Sequence, residues 1–338
     1  MKPFVVPVFL PHAGCPHRCV FCNQTAVTGT HDGFPAPEQM RTEIERFLSY
    51  NGRNRETTEI AFFGGNFLGL SRQRIQMCLD VASAYINAEK GDGLRFSTRP
   101  DTITCRTLQW IAPYPVTTVE IGVQSMADEV LTLSNRGHTA ADTRRAISKI
   151  KKTSYQLGVQ LMVGLPGDNP DISEASARAV VDLAPAFVRL YPVLVLKGSR
   201  LENWLREKRY QPLSLDDCVA QLKQLVQLFS AHHIKVIRMG LQATDGLSAG
   251  SVLAGPYHPA LGHMVLSEIM RHHAEIEIRK LNPPISDLTL WVHPKSYSRM
   301  QGLNKGNLIK LKESFQLHRI HLLTDPGMSQ WAVKVFKR

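Results

Sequence analysis

The sequence predicts an α/β protein: an incomplete, open (β/α)6 barrel of the TIM type, followed by a small α+β appendage. Three observations carry this. Short runs rich in Val, Ile and Phe alternate six times with longer segments of helical spacing, and such alternation implies a parallel sheet with helices outside. Six units are too few to close an eight-fold barrel. Beyond Ile234 the alternation gives way to shorter, mixed elements.

Each element has its own reason. Residues 4–10 form a short apolar run, as a buried strand does. Pro37 opens a helical segment, 38–50, with Met40, Ile44, Phe47 and Leu48 on one stripe; proline suits a first helical turn. Residues 58–63 are β-rich and stop at Gly64-Gly65, and 70–88 are helical through Ile75, Leu79, Ala82 and Ile86. Strands follow at 94–98, 117–123, 158–163 and 187–196. Helices follow at 103–111, 127–134, 140–155, 172–183, 201–208 and 215–232. In the remainder, 235–241, 275–279 and 288–293 read as strands and 260–272 and 304–317 as helices. Two short strands near Ile320 and Val333 come last. The division expected is 1–232 for the barrel, 233–270 for an extension tied to it, and 271–338 for an appendage ordered β-β-α-β-β.

The 338 residues are 43% hydrophobic and 20% charged, ordinary for a globular chain, but the net charge is +11. From Arg271 to Arg338 there are twelve Lys and Arg against five Asp and Glu. That excess favours anionic partners, with a plain solvated basic surface as the alternative. Six cysteines are too sparse for a secretory disulfide framework. No apolar segment is long enough to span a bilayer. Ala13-Gly14-Cys15 has a faint lipoprotein look, but the apolar run before it is short and closes with Pro11-His12. The chain reads as cytoplasmic, where thiols stay reduced.

Cys15, Cys19 and Cys22 share one loop directly after the first strand. Thiolates suit iron–sulfur clusters or zinc. Zinc would want a fourth ligand, and His12 or His17 could supply it. A cubane cluster has four irons, so three thiolates leave one iron to bind something else. Chemistry in parallel α/β folds collects at the carboxyl ends of strands, where Gly64-Gly65, Arg99, Gln124 and Gly164 also fall. Cys78, Cys105 and Cys218 read as buried thiols.

The C-x3-C-x2-C loop, with Phe21 before the third cysteine, resembles the radical S-adenosylmethionine (SAM) superfamily. The resemblance implies that Cys15, Cys19 and Cys22 hold a [4Fe-4S] cluster whose free iron is chelated by SAM. Reductive cleavage of SAM would then yield a 5′-deoxyadenosyl radical. It also implies Phe21 near the adenine, Gly64 and Gly65 at the methionine moiety, and Ser97, Gln124, Arg136 and Gln160 along the ribose and carboxylate side. A reductant such as flavodoxin or ferredoxin is the implied partner. The position after the glycine pair, often Glu or Thr in the family, is Asn66 here.

Ser97-Thr98-Arg99-Pro100-Asp101, Glu120-Ile121-Gly122-Val123-Gln124-Ser125, Asn135-Arg136-Gly137-His138-Thr139 and Gly164-Leu165-Pro166-Gly167 are similar to one branch of that superfamily. It is the branch containing the Elongator catalytic subunit, which modifies wobble uridines in transfer RNA; the coproporphyrinogen dehydrogenase branch is more distant. Lys235–Gln242 and Gly255-Pro256-Tyr257-His258-Pro259 resemble the module after the radical core, where Tyr257 and His258 either face substrate or pack. The resemblance runs from Phe4 to Val265. The remainder is too short for the acetyltransferase domain of the Elongator subunit, so carboxymethylation through acetyl-CoA is not expected. RNA modification is the first functional expectation. A radical enzyme acting on a small metabolite or tetrapyrrole is the second, and a non-catalytic, metal-stabilised RNA-binding protein the third. Gly302-Leu303-Asn304-Lys305-Gly306 reads as an RNA-backbone clamp or as an ordinary helix cap.

Overall fold

A computed structural model describes residues 3–24, 33–50, 57–241 and 250–338. The chain divides into two compact units, Met1–Ser214 with Leu228–Tyr257, and Leu215–Gln227 with His258–Arg338.

In the first unit the strands are β1 (Phe4–Phe9), β2 (Thr58–Phe63), β3 (Gly93–Thr98), β4 (Val116–Gln124), β5 (Gln156–Val163) and β6 (Phe187–Pro192). Helices α1 (Pro37–Leu48), α2 (Arg72–Asn87), α3 (Cys105–Ile111), α4 (Asp128–Leu133), α5 (Ala140–Ile150) and α6 (Pro170–Asp182) alternate with them. Two strands not separated out by sequence complete the sheets. The run expected as one strand over 187–196 breaks after Pro192, and β7 (Val195–Leu196) pairs antiparallel with β9 (Val252–Ala254). After α7 (Arg200–Arg206) and α8 (Leu215–Ala231, of which Leu215–Gln227 belongs to the second unit), β8 (Lys235–Met239) joins the main sheet as a seventh parallel strand. The order is β1-β2-β3-β4-β5-β6-β8. Gln242, the last residue of the motif beginning at Lys235, lies outside the described residues.

This sheet is curled, as the incomplete barrel requires. In a flat sheet, β2 and β6 would stand about four strand spacings apart, roughly 19 Å. Instead Arg189 of β6 lies over the Phe63 ring of β2, 5.5 Å from its centroid, and Arg95 of β3 lies 5.3 Å from that of Phe187 of β6. Both guanidinium groups converge on Glu120 of β4: Arg95 Nη1 donates to Oε1 at 2.8 Å and Arg189 Nη2 at 3.0 Å. Arg95 also pairs with Glu59, whose other oxygen accepts from the Thr117 and Thr118 hydroxyls. Arg95, Glu59 and Glu120 are buried. They form an ion-paired layer across the concave face, with Arg95 Nε left buried without a hydrogen-bond partner. The other face is apolar and takes the helices: Phe62, Phe67 and Phe96 stack there, with centroids 5.0 and 4.6 Å apart.

In the second unit, α9 (Leu261–Arg279) precedes β10 (Asp287–Val292), α10 (Tyr297–Gln301), α11 (Gly306–Phe315), β11 (Arg319–Thr324) and β12 (Val333–Lys337). Its sheet runs β11-β10-β12, parallel on one side of β10 and antiparallel on the other. Residues 275–279, expected as a strand, are instead the last turns of α9. Glu275-Ile276-Glu277-Ile278 alternates like a strand, but Met270, Ala274 and Ile278 stand four apart and enter one core with Leu288, Leu290 and Val292. Burying that helical stripe outweighs the local alternation, and Ile276 is left 40% exposed. Cys78 and Cys218 are buried as expected; Cys105 is exposed, as the first residue of α3.

The ionic layer makes a testable claim. Glu120→Gln leaves the buried Arg95 with Glu59 alone and the half-buried Arg189 without a carboxylate, and should cost about 3–5 kcal/mol in urea unfolding. A midpoint unchanged from wild type would mean that the layer does not hold the curl.

Candidate active site

The loop after β1 continues the sheet's edge before turning. Leu10 N donates to Phe63 O at 2.7 Å, and His12, at φ 54°, donates to Gly64 O at 3.3 Å. The loop then packs against the turn after β2 with no room to spare. A Cβ on Gly65 would lie 2.4 Å from Ala13 O and 2.6 Å from Leu10 O, and one on Gly14 would lie 2.3 Å from Asn66 O. Only glycine permits this approach, so the glycine pair seats the cysteine loop whatever else it binds. The far side of the loop is tied down separately. Val20 N donates to Ser134 O, Asn135 Nδ2 to Arg18 O at 2.8 Å, and Leu201 N to Val20 O.

Asn66 is the hub between loop and sheet. Fully buried, it donates from Nδ2 to Gly14 O at 2.8 Å. Its Oδ1 accepts from Thr98 Oγ1, Arg99 N and Thr102 Oγ1 at 2.8, 3.0 and 2.9 Å. This side chain therefore works within the protein framework. Arg99 is held by both oxygens of Asp101, at 2.9 and 3.1 Å, while its Nη1 is buried without a partner.

Arg136 approaches the cysteines directly. Nη1 donates to Cys19 Sγ at 3.3 Å and Nη2 to Gly122 O at 2.6 Å, leaving a buried Nε without a partner. Gln124 sits past a bulge in the β4–β5 register at φ 72°, and its Oε1 accepts from Gln160 Nε2 at 3.1 Å. Ser97 shares the concave face of β3 with Arg95, two residues on. Phe21 packs half-buried on a cluster with Val20, Val130 and Leu165. Cys19, Cys22, His12, Arg18, Asn23, Gly198 and Arg200 line a cavity of about 320 Å³.

Burial and the neighbouring guanidinium groups set the ionisation of the site. Burial, then Cys19 and Cys15, pushes the Cys22 thiol up to about 12. Burial also raises Cys15, opposed by Arg136. His138 is held down to about 3, first by burial and then by Arg136 and Arg99, so its ring is neutral. Among the described residues no three His, Cys, Asp or Glu side chains converge as a single ion would need. A cubane takes each thiolate on a different iron. His12 Nε2 accepts from Gln24 N at 3.0 Å, which occupies the lone pair that a metal would use. Three crowded thiols beside two guanidinium groups with unpartnered buried donors fit a thiolate-bound iron–sulfur cluster.

In the sequence, Asn135 and His138 stand only as members of a motif. The signal available for Asn135 was its type, since Asn tolerates the left-handed backbone it adopts at φ 51°. Nothing local marked Asn66 as a hub.

Comparisons with known proteins agree with this geometry. The profile of the Radical SAM superfamily matches residues 9–179, and that of the Radical_SAM C-terminal domain matches residues 185–271. A tRNA uridine(34) acetyltransferase of Dehalococcoides mccartyi is 26% identical, over 63% of this chain and 54% of its own. Elongator complex protein 3 of Saccharomyces cerevisiae is 27% identical, over 66% of this chain and 48% of its own. The chain spans about half the length of such relatives. The archaeal Elp3 of Methanocaldococcus infernus superposes with a TM-score of 0.62 at 21% identity, covering 80% of this chain and 63% of that one. No helix among the described residues is long and apolar enough to cross a membrane.

The seating of the loop can be tested without any ligand. Gly65→Ala should lower stability by about 1–3 kcal/mol and speed alkylation of buried Cys19 by iodoacetamide, read by mass spectrometry. Gly33→Ala, where an added Cβ meets nothing within 4 Å, should change neither. Equal alkylation rates in Gly65→Ala and wild type would show that the close approach does not position the cysteines.

Proposed function

Because the chain belongs to the radical SAM superfamily and is a radical SAM enzyme, we propose that it binds its [4Fe-4S] cluster through Cys15, Cys19 and Cys22 and modifies transfer RNA. When bound and reduced, the cluster and SAM supply a 5′-deoxyadenosyl radical for hydrogen abstraction.

The residues of the chain orient and shield that chemistry. Arg136 donates to the sulfur of Cys19 and fixes its position in a buried setting. Gly64 and Gly65 present bare backbone at the mouth for the methionine moiety, and Phe21 offers a ring for the adenine. Gln124 and Gln160, already hydrogen-bonded to each other, and Ser97 take the ribose and carboxylate side. The observation that carries this reading is the constellation of three thiols with the Arg136–Cys19 contact at the carboxyl ends of the strands. A flavodoxin or ferredoxin supplies the electron.

The RNA substrate is supported by the relatives named for tRNA modification and by the basic residues after Arg271. The turn read as an RNA-backbone clamp or an ordinary helix cap has an exposed Lys305 in the left-handed conformation, and Asn307 fixes the turn by donating to Ser267 O and Arg299 O.

A small anionic metabolite is the second reading, favoured by Arg238. It stands beside Arg189 on the concave face and has no ion pair among the described residues. That reading predicts that neutralising basic residues after Arg271 leaves turnover unchanged.

Anaerobic reconstitution tests the chemistry: about four irons per chain and release of 5′-deoxyadenosine on reduction are expected. Alanine at any of the three cysteines should abolish the release. Retention of both properties in Cys19→Ala would refute the ligand assignment. Binding to transfer RNA should weaken steeply as salt rises; absence of binding at moderate salt would sink the RNA substrate.

A further inference from the structure

The three-stranded sheet of the second unit has two unlike faces. Leu288, Leu290 and Val292 of β10 point into the core and are fully buried. The alternate residues point the other way, and the registers arrange them as a grid. Arg319, Asp287 and Arg338 form one row, flanking the pairing Asp287↔Arg319 and the end of β12. His321, Thr289 and Phe336 form the next, and Leu323, Trp291 and Lys334 the third.

This outer face is unusual for its composition. Phe336 is 53% exposed and Leu323 43%, where a solvated sheet face normally carries polar residues. Trp291 and Phe336 are diagonal neighbours across β10 and β12, about 7–8 Å apart at the backbone. Cations surround them. Arg319 and Lys334 have no ion pair among the described residues, and Arg338 Nη1 lies 2.8 Å from His321 Nε2. Asp287 is the one carboxylate of the grid, and His318 Nδ1 stands 3.6 Å from it.

We propose that this face is a stacking platform for single-stranded RNA, with Trp291 and Phe336 each stacking a base and Arg319, Lys334 and Arg338 neutralising phosphates. This rests on the reading of an RNA substrate above and goes beyond it by naming surface, strandedness and contacts. Two aromatic rings one diagonal apart offer successive bases a π-face without reading their edges. A duplex, whose bases are already stacked on each other, cannot use them. The charge balance of the face also disfavours an acid-depleted or basic peptide as occupant.

The test uses the full chain and a fluorescein-labelled oligouridylate of about ten nucleotides, followed by anisotropy over a salt series. Phe336→Ala should weaken binding about 5- to 100-fold. Lys334→Gln should lower the slope of log affinity against log salt by about 0.7. Trp291→Phe, which keeps a ring, should retain most of the affinity. Ile309→Ser, exposed on α11 away from the sheet, should bind like wild type with the same thermal midpoint. A duplex of equal length should bind Phe336→Ala and wild type alike. If wild type binds transfer RNA while Phe336→Ala and Lys334→Gln bind the oligouridylate like wild type, the platform is wrong and the RNA substrate stands. If wild type binds neither nucleic acid, both fall. If Phe336→Ala alters the oligomeric state and leaves RNA affinity unchanged, the face is a contact between copies, and the platform is overturned.

Discussion

Everything in the first unit depends on the curl of its sheet, and the curl shows in the ion pairs that cross its concave side. Arg189 and Arg95 reach from separate strands to the one carboxylate of Glu120, and Arg95 also engages Glu59. Such a layer would be costly if any member were unpaired, because buried charges repay their lost hydration only through close partners. Its members come from β2, β3, β4 and β6, so it can be satisfied only when those strands have wrapped round. The same wrapping brings together the strand ends that carry the glycine pair, Arg99, Gln124 and the cysteine loop.

The loop is positioned by backbone contact on one side and by hydrogen bonds on the other. Gly14 and Gly65 let two turns meet at distances closed to any other residue, and Asn66 binds the meeting point to the end of β3. Ser134 and Asn135 hold the opposite side. Cys15 and Cys22 thus sit in place at the expense of their own ionisation. Burial and their mutual repulsion raise Cys22, while Arg136 works against both at Cys15 and Cys22. A cationic iron centre held by these cysteines, as proposed, would relieve that conflict.

Much of this was legible from the chain alone. The strand–helix alternation, the cysteine spacing and the placement of special residues at strand ends all follow from local pattern, since period and spacing are properties of neighbouring residues. The barrel strands were found to within a residue or two, apart from the break after Pro192. Where reading failed, two local signals competed. Residues 275–279 alternate as a strand does, yet Ala274 and Ile278 belong to a helical stripe whose value appears only when a core exists to bury it. Cys105 resembled its buried counterparts in type but stands at an exposed helix start.

By itself, the sequence determined which residues can bind soft metal, how many strands precede them, and where the chain must adopt conformations open only to glycine. Tertiary structure decided which groups meet. Arg136 turns to Cys19 and Gly122, Gln124 to Gln160, and Asn66 inward to four backbone and hydroxyl partners, over separations of 14 to 117 residues. No local pattern encodes such pairings, because they arise only when a curled sheet brings distant strand ends to one mouth.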